Sequence, residues 1–207
     1  MMGTFRQYLF TAAAVFCFSA ATSRSADGAV ITLNFEGLSD STFISTQYTG
    51  LTFTNAIIFT SGISLNEFDF PPRSGVNVLS DSGGAISILF TDPILDFLAY
   101  FTYVTPVTLQ GFDGANQLLA QSTTAFTNNT ASGGDSGSSP NEVLHISTGA
   151  GFTKIIIEGD SSGSSFTLDD AAYDTGQVGV VPEPSTVALT SPGLLMLLLA
   201  AHAYRRR

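Results

Sequence analysis

The chain has no tryptophan and one cysteine in 207 residues. Cys17 lies in an apolar stretch near the start, so the remainder has no disulfide, no thiol nucleophile and no thiolate metal ligand. Basic residues are also scarce: seven Lys and Arg stand against 17 Asp and Glu. Residues 27–176 hold every acidic residue except Glu183, but only Arg73 and Lys154 of the basic ones. With 16 acidic and two basic residues, that stretch carries a net charge near −14. Such a surface repels DNA, RNA and anionic lipid, which excludes nucleic acid as a partner. No part of it shows helical periodicity. A parallel α/β fold needs crossover helices and is therefore excluded.

Short β-type runs fill the same stretch. They fall at 30–35, 51–54, 56–60, 85–90, 94–103, 107–112, 118–122, 142–147, 154–159 and 166–173. In the run 94–103, Leu95, Phe97, Ala99, Phe101 and Tyr103 share one face at period two. Turn residues separate the runs, among them Ser82-Gly83-Gly84, Asp92-Pro93 and Asp113-Gly114. The pattern predicts an antiparallel β-sandwich of jelly-roll type. Two segments stand outside it. Residues 66–75 include Phe68, Phe70 and two prolines, and 128–140 is nearly all Ser, Gly, Asn, Asp and Thr, a flexible composition.

The two ends of the chain differ from the middle. Arg6, an apolar run over 8–21 and small residues at 21–26 have the form of a secretory signal peptide. Residues 187–204 contain no charged side chain, and 18 residues lie at the short end of the length that spans a bilayer. Arg205, Arg206 and Arg207 follow directly and would stay on the cytoplasmic side. Before the span, Pro182-Glu183-Pro184 is held extended by its prolines, the form a processing enzyme needs in a substrate.

Val181-Pro182-Glu183-Pro184, the short span and the arginine cluster resemble the PEP-CTERM sorting signal of Gram-negative and related bacteria. The same tail is also named after the C-terminus of ice-binding proteins. The resemblance implies that exosortase, a membrane transpeptidase, recognises Pro182, Glu183 and Pro184 and removes the tail. It also implies a place in exopolysaccharide or biofilm matrix. A plain single-pass anchor that is never cleaved is the alternative. Thr52-Phe53-Thr54 is an isolated Thr-x-Thr, and ice-binding faces need regular arrays, so nothing in 27–176 points to ice.

Carboxylates stand in both the first and last β-runs. First and last strands of a jelly roll often lie side by side, and carboxylates brought together repel unless a cation sits between them. Phe35-Glu36-Gly37 and Leu168-Asp169-Asp170 resemble the corresponding segments of galactose-binding-like jelly-roll modules, several carbohydrate-binding families among them. That resemblance implies one structural calcium held by Glu36, Asp169 and Asp170. Adjacent strand residues face opposite ways, so Asp169 and Asp170 share an ion only if the strand bulges. Asp169 ranks first because Phe166 and Leu168 share the other face. Solvated carboxylates at a strand end are the plainer alternative.

A sugar site needs aromatic platforms. Tyr48, Phe68, Phe70, Tyr100 and Tyr103 are candidates; Tyr103 reads as core, and Phe68 and Phe70 as an exposed patch on a loop. Catalysis finds less support. His145 reads as the outward residue of a strand, no nucleophile elbow is present, and Glu36, Glu67, Glu142 and Glu158 show no pairing by spacing.

The sequence thus predicts a signal peptide over 1–26, a β-sandwich over 27–176, a linker over 177–186, a membrane helix over 187–204 and a basic tail over 205–207. The expected role is a non-catalytic structural or carbohydrate-binding module of the cell surface or matrix. A secreted glycan-active hydrolase is the alternative.

Overall fold

The structure, a computed structural model, describes residues 29–176. The expected signal peptide, the Val181–Pro184 motif, the membrane helix and Arg205, Arg206 and Arg207 lie outside the described residues. Among the described residues no helix is long and apolar enough to cross a membrane.

Ten strands form an all-β antiparallel sandwich: β1 Val30–Leu33, β2 Phe43–Ile44, β3 Leu51–Thr54, β4 Ala56–Thr60, β5 Asn77–Asp81, β6 Ile86–Tyr103, β7 Thr108–Phe112, β8 Leu118–Thr123, β9 Glu142–Glu158 and β10 Phe166–Asp174. Two long strands build both layers. The first part of β6 pairs with β3 and with the end of β9, and β7 and β8 continue that layer. The second part of β6 pairs with β10 and with the start of β9, and β5, β4 and β2 continue the other layer. First and last strands are neighbours as expected, with Val30 opposite Asp174 and Leu33 opposite Ala171.

Asp92-Pro93 does not end a strand, contrary to its turn-like composition. It lies inside β6, where the ladder to β9 jumps from Leu89 to Ile94. Pro93 has no N–H to donate, so it fits where the strand leaves one layer and enters the other. Across from it, Gly151 takes φ +91° in the slack of β9.

The core lies between the layers. Ile58, Leu79, Leu168, Phe101 and Leu144 point into it from successive strands and are at most 2% exposed. Phe97, Ala99, Phe101 and Tyr103 are fully buried, as the period-two pattern predicts, but Leu95 is only half-buried and its neighbour Ile94 is buried instead. The opposite face of the β5–β10–β6 layer is not open to solvent either. Ser80, Thr102, Thr167 and Asp169 alternate with core residues yet are buried. The loops 61–76 and 124–141 cover them.

The polar loop 128–140 is tied down rather than loose. Asp135 Oδ2 accepts Thr127 N and Oγ1 at 2.8 and 2.7 Å and Asn128 N at 3.2 Å. The fully buried Asn129 donates to Phe101 O and Ser139 O and accepts Tyr103 N at 2.7 Å. Short polar side chains that read as flexible in sequence are here the loop's internal hydrogen-bond frame. The two unusual loops also meet: Ala131 N donates to Asp69 O, and Asn141 Nδ2 to Pro71 O.

Candidate functional site

The covered outer face carries two features, a carboxylate latch and a small cleft. The latch begins with a bulge in β10. Between Asp169 and Ala172 the register to β6 gains one residue, and Asp170 takes φ +47°. The extra residue lets adjacent aspartates serve the same loop. Asp169 Oδ2 accepts Arg73 N and Ser74 N, both at 2.9 Å, and its Oδ1 accepts Asp170 N at 2.7 Å. Asp170 accepts Arg73 Nε at 3.0 Å and Ser74 Oγ at 2.8 Å.

The third carboxylate, Glu36, follows β1 and the left-handed Phe35. Its Oε1 accepts Val76 N at 2.9 Å and Asn77 N at 2.8 Å. The Arg73 guanidinium lies 3.2 Å from the centroid of the Tyr100 ring, and Tyr100 is the ladder partner of Asp169. Burial pushes the Asp169 carboxyl up to about 6, against the opposing pull of the Ser74 and Asp170 N–H groups; the Asp170 charge adds to the rise.

The bulge that joint action of Asp169 and Asp170 requires is therefore present, and the three carboxylates do act on one loop. Their partners are not those of a calcium site. Calcium takes six to eight oxygen ligands. Here Glu36 Oε1 and both Asp169 oxygens face N–H donors, and Asp170 faces a guanidinium and a hydroxyl. Among the described residues no group of three or more His, Cys, Asp or Glu side chains is set to hold a metal ion. The donor set does not fit calcium.

The cleft opens between the loop 61–70 and the turn before β10, with a volume of about 130 Å³. Phe59, Leu65 and Phe70 supply apolar walls, and Asn66, Ser164 and Thr167 supply polar edges. Thr167 is 7% exposed, and its side chain borders the cleft. Ser164 takes φ +58°, an uncommon conformation for a residue with a Cβ. Asn66 Nδ2 donates to Asp69 Oδ2 at 2.8 Å, which fixes the amide at the rim.

The aromatic candidates divide. Phe68 is 83% exposed, whereas Phe70 is half-buried and lines the cleft. Tyr48 packs edge-on against Phe35, Tyr100 lies under Arg73, and Tyr103 is buried with its hydroxyl 2.5 Å from Glu142 Oε2. His145 points outward as expected and meets Asp96 Oδ2 at 2.6 Å. Glu36 and Glu142 are both engaged by backbone N–H groups.

Sequence reasoning did not single out Arg73, Ser74, Gly75, Asn129 or Thr167. One signal was available for Arg73: it is one of two cations among 16 carboxylates, and a lone cation in such a field is expected to be paired.

No family model matches the chain, and no curated protein matches it. Solved structures of similar shape include the K2 cleaved adhesin domain of Lys-gingipain, 11% identical, covering 70% of this chain and 99% of that one, with a TM-score of 0.45. A family 29 carbohydrate-binding module is 10% identical over 76% of this chain and 99% of its own, with a TM-score of 0.40. The C-terminal family 22 carbohydrate-binding module of Clostridium thermocellum Xyn10B is 13% identical over 75% and 99%, also at 0.40. Likenesses this distant transfer no function to this chain.

Proposed function

We propose that the chain is an exported protein of the cell surface or extracellular matrix, delivered through its C-terminal sorting signal. Its β-sandwich serves there as a non-catalytic module that associates with carbohydrate. The observation that carries the first half is the order of three elements: Val181-Pro182-Glu183-Pro184, an uncharged 187–204 and Arg205 to Arg207. An exosortase-like transpeptidase is the partner this order calls for, with the bilayer holding its substrate in place.

The cleft supports the second half. It combines aromatic walls with hydroxyl and amide edges and has no ionisable side chain in its lining, the mixture that suits a neutral polyol. A net charge near −14 leaves neutral glycans as better partners than anionic ones.

Fractionation of the native host tests both halves. The wild-type protein is expected in the surface or matrix fraction, bound to exopolysaccharide in a pull-down. A variant with Pro182, Glu183 and Pro184 all replaced by alanine is expected to accumulate in the inner membrane. Recovery of that variant in the matrix at the wild-type level contradicts the sorting reading.

A further inference from the structure

We infer that the cleft between loop 61–70 and Thr167 is a subsite for one neutral pyranose ring. This inference rests on the carbohydrate reading above and gives it an address. Size is the first argument. A volume of about 130 Å³ far exceeds the ~10–15 Å³ that one water needs, yet it falls short of the roughly 300–1,000 Å³ of a pocket for a drug-sized ligand. It holds one ring rather than a stretch of chain.

The second argument is the polar edge of the cleft, set by the strand beneath it. Thr167 belongs to a strand paired on both sides, through Ser80 and Thr102, so its backbone is spoken for. The residue is 7% exposed, and its side chain borders the cleft. Thr167 is not one of the buried side chains left without a partner, so its hydroxyl is open to the cleft and to whatever occupies it. Ser164 adds a second hydroxyl from a left-handed position on the same wall, and Asn66 adds an amide.

The third argument is chemical complementarity. A pyranose has an apolar C–H face and a polar edge. Phe59, Leu65 and Phe70 match the first, and Thr167, Ser164 and Asn66 match the second. Two carboxylates are bonded to residues of the lining: Ser64 Oγ donates to Asp40, and Asn66 Nδ2 to Asp69. No cationic side chain lines the cleft to receive a uronate.

Saturation-transfer NMR on the full chain, in a detergent without a sugar headgroup, tests the assignment. The probes are glucose, galactose and mannose, with glucuronate and glucosamine as charged controls. At least one neutral hexose is expected to bind with an affinity on the order of millimolar, as befits one small ring. Thr167→Val keeps the shape of the side chain and removes only the hydroxyl. It and Phe70→Ala are each expected to weaken binding at least about tenfold, the worth of one lost hydrogen bond or ring contact. If Phe70→Ala does not melt cooperatively, Thr167→Val decides alone. Unchanged binding in Thr167→Val, binding confined to glucosamine or glucuronate, or no transfer from any neutral hexose overturns the assignment. A pull-down of host exopolysaccharide with the same preparation separates two kinds of failure. If polysaccharide binds while the hexoses fail, the cleft is wrong and the carbohydrate reading stands; if both fail, the reading falls too.

Discussion

Glu36 occupies the space that a side chain at Gly75 would need: a Cβ there would stand 2.2 Å from Glu36 Oε1. Gly75 also takes φ +55°, a conformation that costs little only without a Cβ. A side chain at this position would have to displace the carboxylate from Val76 N and Asn77 N. Gly75→Ala is expected to destabilise the fold by about 1–3 kcal/mol in urea unfolding. Glu36→Ala leaves Val76 N and Asn77 N without their acceptor and costs about the same. Because the two changes damage one contact, the double variant is expected to lose clearly less than the sum. Full additivity would show that the two residues do not act together.

Stability is expected to peak in mildly acidic solution. Asp169 has its carboxyl raised from 3.8 to about 6 in the folded chain, so folding favours its neutral form. Its contribution is complete below about pH 3.8 and is lost as pH rises through about 6, at most on the order of 3 kcal/mol. Burial raises the Asp81 carboxyl as well, with the same sign. Hydroxyl donors hold Asp40, Asp69, Asp135 and Asp160 below the ordinary value, Ser64, Ser132, Thr127 and Ser162 being the first cause in turn. Those contributions are present above about pH 3.8 and are lost on further acidification. Urea midpoints from pH 3 to 8 check the shape, and Asp169→Asn is expected to flatten the limb between pH 4 and 7. A midpoint that climbs steadily to pH 8 is the contrary result.

Metal removal is expected to leave melting unchanged. The positive partner of Asp170 is Arg73, and backbone N–H groups serve Asp169 and Glu36. Arg73→Gln removes an ion pair that is partly exposed and screened, together with the contact over Tyr100. A loss of about 1–2 kcal/mol is expected. A rise in melting temperature on adding calcium to the chelated protein would show that the carboxylates hold an ion after all.

Asn129 is expected to be among the most sensitive polar positions. Its side chain makes three hydrogen bonds, two of them buried, and one goes to the last residue of β6. Asn129→Ala strands Tyr103 N and two carbonyls, at a cost of about 2–4 kcal/mol by thermal or urea unfolding. A change under about 0.5 kcal/mol, the range of ordinary surface sites, would mean that loop 124–141 does not fasten the sandwich.

Much of the sandwich was legible because one face of most strands meets the core. The alternation from Phe97 to Tyr103 is an example. β5 was not legible. Its Asn77, Ser80 and Asp81 break the apolar pattern, and they are buried because distant groups satisfy them: Phe35 and Leu38 carbonyls for Asn77, and Ser165 N–H for Asp81. The union of β6's two halves was hidden by Asp92-Pro93, whose turn signal marks a bend between layers here. In the latch, Glu36, Asp169 and Asp170 were recognisable as a set because carboxylates in first and last strands must be compensated. Glu36 and Asp169 are compensated by backbone N–H donors, which carry no residue signature, and Asp170 by the side chains of Arg73 and Ser74. Only the isolated Arg73 hinted at them.

In the function proposed above, the sandwich travels with a tail made to be cut. Mass spectrometry of the protein recovered from its native host, read at the C-terminus, tests this most directly. A mature end within or next to Val181-Pro182-Glu183-Pro184, with 187–204 and the arginines gone, is the expected result. A surface protein that still ends in Arg205-Arg206-Arg207 contradicts it.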